Sequence, residues 1–129
     1  MNSQMLLLLT RDEELRTVLN QALGDAEIIV LRADNIGDAL QIVCQHGRQL
    51  SFAVIDFAGG CHGMTLLNAL KMCRPNLPLI VTTSDDAYHA SMLAYANDVA
   101  ACLAKPILAA ELKIVIQELA EPKLQLGAA

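Results

Sequence analysis

The chain of 129 residues has no tryptophan, two tyrosines and two phenylalanines, so aromatic residues make up only 3% of it. Because 54% of its residues are nevertheless apolar, its core must be built from Leu, Ile, Val, Ala and Met, as in tightly wound α/β proteins and unlike disordered chains. Clustered basic charge is also lacking, the formal charge being −5 and the pI near 5.0. Direct binding to nucleic acid, which needs grouped Lys and Arg, is therefore not expected. Among Cys44, Cys61, Cys73 and Cys102 there is no CxxC pair. The neighbours Cys44 and His46, or Cys61 and His62, do not complete the four ligands of a zinc site. Reduced core cysteines in a cytosolic, cytoplasmic protein are expected. The run "MLLLL" at 5–9 falls far short of the roughly 20 apolar residues of a spanning helix. Residues 1–4 also carry no basic charge of the kind that precedes a secretory core. A membrane is not an expected partner.

What the chain does contain is a series of short apolar runs: 5–9, "IIVL" at 28–31, "FAVI" at 52–55, "LIV" at 79–81 and "ACL" at 101–103. Runs without polar alternation suit strands buried on both faces, as in a parallel sheet covered by helices. Between them the period is helical. Leu15, Val18, Leu19 and Ala22 form one stripe, with Asp12 as N-cap and Gly24 past the end. Ile36, Ala39, Leu40 and Val43 form another behind Asp34 and Asn35. A third helix is expected from about Met64 to Met72 before Pro75, and a fourth from near Ser84, Asp85 and Asp86 to about Ala96. The last stripe is Leu112, Val115, Ile116 and Leu119, after Pro106. Strict alternation predicts an α/β fold, a doubly wound five-stranded parallel sheet with helices on both faces. One domain is expected over 1–121, with 122–129 as a tail or linker stub. The site of such a fold lies where the loops after the strands converge.

Those strand ends carry Thr10, Arg11 and Asp12 after the first strand, Asp56 after the third, Thr83 and Ser84 after the fourth, and Lys105 after the fifth. A carboxylate there can act as a nucleophile, a hydroxyl can bond a phosphoryl oxygen, and an ammonium can neutralise developing charge. In "FAVID", "PLIVTTS" and "LAKP", each at a predicted strand end, the chain resembles a response-regulator receiver domain of flavodoxin-like fold over nearly its full length. The resemblance implies phosphorelay signal transduction in a two-component system, not conventional enzyme activity. Asp56 takes the phospho-acceptor position, Thr83 the switch hydroxyl position and Lys105 the conserved-lysine position of that family, with a cis Lys105–Pro106 peptide. The implied donor is a sensor histidine kinase or phosphotransfer protein, and the implied readout a downstream effector protein or domain. A homodimer through the last helices is one further expectation. The implied cofactor is Mg²⁺, held by Asp56, with Asp12 as the other candidate ligand.

The family's acidic pair after the first strand is replaced here by Thr10 and Arg11, and Cys102 stands where an aromatic is common. The loop "FAGGCHG" after Asp56 is short and lacks the usual proline, though Gly63 fits the glycine that precedes the third helix. Two readings of Arg11 follow from charge alone: a solvated loop residue, or a fixed cation paired with Asp56 in place of the metal. Likewise two functions stay open, a phospho-accepting receiver and a pseudo-receiver that signals through protein contacts without phosphate. A nucleotide-binding protein of similar fold is disfavoured, because no glycine-rich loop follows the first strand.

Overall fold

In the computed structural model the described residues are 4–58, 62–84, 96 and 98–120. The expected fourth helix, with Tyr88, His89 and Tyr95, lies outside them apart from Ser84 and Ala96, as do Cys61 and the tail. Five parallel strands, β1 (Gln4–Leu9), β2 (Ile28–Ala33), β3 (Phe52–Asp56), β4 (Leu79–Thr83) and β5 (Ala101–Ala104), form one sheet in the order β2-β1-β3-β4-β5. Strand order reverses between β1 and β3, and in open α/β sheets ligands bind at such a switch point, beyond the carboxyl ends of the strands.

Helices α1 (Glu13–Leu23), α2 (Ile36–His46), α3 (Gly63–Cys73) and α4 (Ala109–Ala120) cover the sheet. Asp12 caps α1 by accepting from Glu14 N, and Asn35 caps α2 by accepting from Asp38 N. Gly24 closes α1 at φ +54°, donating its N–H to Asn20 O, a conformation that costs a glycine little. The side-chain period of two sorts the strands into two cores. Leu7, Leu9, Ala53, Ile55, Leu79 and Val81 pack with Ala39, Leu66, Leu67 and Leu70 on the α2–α3 face. Leu6, Leu8, Phe52, Val54 and Ile80 pack with Leu15, Leu19, Leu112 and Ile116 on the α1–α4 face.

Burial on both faces holds for β1, β3 and β4, but not for the edges. Every residue of β5 is half-buried, and in β2 Ile29 is 47% exposed, because an edge strand has a neighbour on one side only. The cysteines also depart from expectation. Cys44 and Cys73 are exposed and Cys102 is half-buried. Their apolar neighbours in sequence suggested a core, but Cys44 lies off the inward stripe of α2 and Cys73 at the open end of α3. No helix among the described residues is long and apolar enough to cross a membrane.

Candidate functional site

The α1–α4 face continues past the apolar core into polar side chains at the strand ends. By alternation Thr10 follows Leu6 and Leu8, Asp56 follows Phe52 and Val54, Thr82 follows Ile80, and Lys105 follows Leu103. Pairing of Asp56 with Thr82 in the β3–β4 ladder puts these two side chains side by side. Asp56 is 1% exposed, and four donors from the described residues reach its carboxylate. Oδ1 accepts from Ala58 N at 3.0 Å and from Thr82 Oγ1 at 3.2 Å. Oδ2 accepts from Thr10 Oγ1 at 2.6 Å and from Lys105 Nζ at 2.9 Å. A buried carboxylate needs this many partners to offset its lost hydration.

Lys105 also bonds Asp12 Oδ2 at 2.8 Å, so its ammonium lies between two carboxylates. Burial alone would pull Lys105 down, but hydrogen bonds to Asp12 and Asp56, together with their charges, hold it above the ordinary lysine value. Asp12 is held below the usual carboxylate range, chiefly by the hydrogen bond from Lys105 and against the opposing pull of burial. The same Asp12 caps α1 with its other oxygen, Glu14 N lying 2.9 Å from Oδ1, and its own N–H donates to Thr10 Oγ1 at 3.0 Å. The Lys105–Pro106 peptide is cis.

Around this centre Gly63, at the start of α3, closes the floor. A Cβ there would lie 2.6 Å from Phe57 Cδ1 and 2.9 Å from Asp56 O, so no side chain fits. Among the remaining expected residues, Thr83 is buried at the end of β4 and Ser84 is exposed. His62 precedes α3 in the left-handed region at φ +59°. Arg11 departs from its sharper reading. It is exposed, and its Nε donates to Asp34 O at 3.1 Å, because the loop after β1 turns its side chain toward the end of β2. The cation on Asp56 is Lys105.

The choice between Thr82 and Thr83 depends on register, and register puts Thr82 on Asp56 Oδ1; Thr10, expected at the pocket edge, bonds Asp56 Oδ2. The signal that identifies both is parity: positions 6, 8 and 10, then 52, 54 and 56, then 80 and 82, share one face of the sheet. Arg16, on α1, was not anticipated. Its Nη2 donates to Thr10 O at 2.8 Å, and it pairs with Glu13 and Asp34.

Mg²⁺ takes oxygen ligands in near-octahedral order and is commonly held by carboxylates. Asp12 and Asp56 are bridged by an ammonium, the Thr10 hydroxyl is a donor to Asp56, and the Thr10 carbonyl is capped by Arg16. Among the described residues no three of His, Cys, Asp and Glu group so as to hold a metal ion.

Comparisons with known proteins agree with this architecture. The response regulator receiver domain family model matches residues 7–117. No curated protein matches the sequence. Among solved structures, a response regulator receiver domain protein from Clostridium thermocellum superposes with a TM-score of 0.78 at 21% identity, covering 95% of this chain and 98% of that one. A CheY-like receiver domain protein from Methanospirillum hungatei gives 0.73 at 19%, covering 95% and 98%. The signal receiver domain of an HD domain-containing protein from Pseudomonas fluorescens gives 0.75 at 22%, covering 95% and 98%. Their likeness is one of fold. With the family model spanning residues 7–117, the chain belongs to the response regulator receiver domain family.

Proposed function

We propose that this receiver domain accepts a phosphoryl group on Asp56 from a phosphohistidine of a sensor kinase or phosphotransfer protein. The observation that carries the reading is the Asp56 carboxylate, at the end of β3 and bonded to the Lys105 ammonium at 2.9 Å. An Asp56 oxygen attacks phosphorus, the P–N bond breaks, and the imidazole leaves with the bonding pair. Lys105 neutralises charge on the transferred phosphoryl oxygens. Thr82, already on Asp56, and Thr83 at the strand end supply hydroxyls. Rearrangement of Thr83 toward the acyl phosphate is the switch read by an effector.

The test is mass spectrometry of the intact chain after incubation with acetyl phosphate, with and without Mg²⁺. A gain of one phosphoryl group, abolished by Asp56→Asn, is the expected result. A second reading, signalling through protein contacts without phosphate, draws on one observation: among the described residues four donors already engage Asp56. No mass gain under either condition would select it.

A further inference from the structure

We infer that the Asp56 pocket excludes Mg²⁺ and that the Lys105 ammonium, clasped between Asp12 and Asp56, is its resident counter-charge. The inference concerns the same pocket as the phospho-acceptor reading, and it rests on that reading only for its consequence in phosphoryl transfer.

Three features act together. Each Asp56 oxygen already accepts two hydrogen bonds, so a metal on either one must displace a donor in a site that is 1% exposed. Asp12, the second carboxylate on Lys105, has one oxygen on the N-terminus of α1 and the other on that lysine. Releasing it uncaps a helix as well as freeing an ammonium. The first loop, finally, presents cationic and donor groups where a dication needs acceptors. Arg16 occupies the Thr10 carbonyl, the Thr10 hydroxyl points its proton at Asp56, and Arg11 adds a positive charge. Mg²⁺ gives up water reluctantly and demands near-ideal octahedral geometry, which a pocket with one clasped carboxylate pair does not supply. Lys105 supplies part of the positive charge a dication would bring, since its single charge faces both carboxylates at 2.8 and 2.9 Å.

The experiment follows the backbone amides of Asp12 and Ala58 by NMR while Mg²⁺ is added to the isotopically labelled chain. The wild type is expected to show no saturable shift, while Arg11→Asp and Thr10→Asp/Arg11→Asp acquire one. Arg11 is exposed, so its single substitution remains informative where the double variant does not fold. A saturable wild-type response overturns the inference. Silence from every folded variant also does so, because Thr10 and Arg11 are then not what excludes the ion. The consequence is read separately, as acetyl phosphate labelling of Asp56 that is unchanged by chelator. Labelling that requires Mg²⁺ counts against the inference and leaves the acceptor reading intact. No labelling under any condition defeats the acceptor reading, while the NMR titration still decides the metal question.

Discussion

Thr10 serves two partners with one hydroxyl, donating to Asp56 Oδ2 and accepting from Asp12 N. Thr10→Val keeps the shape and removes both bonds at a position that is 0% exposed. We expect a loss of about 1–3 kcal/mol in urea unfolding, the usual cost of stranding a buried polar group. Thr10→Ser keeps the hydroxyl and should cost about 0.8 kcal/mol, the worth of one buried methyl. Equal losses in the two variants would mean that the hydroxyl is not what matters. Gly63→Ala tests the floor of the site: its methyl meets Asp56 O and Phe57, and overpacking of this kind costs about 1–3 kcal/mol. At this scale the sequence was partly readable. Asp56 and Lys105 stand out because a charge at the end of an apolar run is conspicuous. Thr10 and Thr82 do not, because a threonine is ordinary in a strand and acquires meaning only when sheet register shows which face it is on.

Helix α1 is tied to the site through its cap. Asp12 holds Glu14 N with one oxygen and Lys105 with the other, so asparagine and alanine separate the two contributions. Asp12→Asn retains a good N-cap and loses the ion pair. With side-chain exposures of 20% for Lys105 and 30% for Asp12, that pair should contribute less than about 1 kcal/mol. Asp12→Ala loses the cap as well and should be about 1 kcal/mol less stable than Asp12→Asn. Equal unfolding midpoints for the two variants would deny Asp12 its capping role. Elements as such were legible, since apolar runs and helical stripes need no tertiary information. Which strands lie at the edge was not, because "IIVL" of β2 reads like the central runs and strand order is absent from hydropathy. The stripe of α2 shows the same limit: of Ile36, Ala39, Leu40 and Val43, only Ala39 is fully buried, as α2 covers the β2 edge of the sheet.

At the candidate site two carboxylates meet on one ammonium, and this fixes the sign of its contribution to the pH dependence of the whole molecule. Asp12 is held below its ordinary value, so between its folded and unfolded pKa values the unfolded chain binds more protons. Its contribution is complete above the usual aspartate range, about 3.9, and is lost as pH falls through the lower folded value. Lys105 is held above its ordinary value, so its contribution is complete below about 10.4 and disappears as pH rises through the higher folded value. The two together give a plateau across neutral pH, bounded by an acid limb from Asp12 and an alkaline limb from Lys105. Asp12→Asn removes the first limb outright and weakens the second, because Lys105 then keeps only Asp56. Unfolding midpoints measured from pH 3 to 11 should therefore show a smaller gap between wild type and Asp12→Asn at the acid end than at neutrality. Added salt should narrow that neutral gap, since the Asp12 side of the clasp is partly open to solvent. A gap that widens on acidification would place the main acid-sensitive contact somewhere other than the Asp12–Lys105 pair.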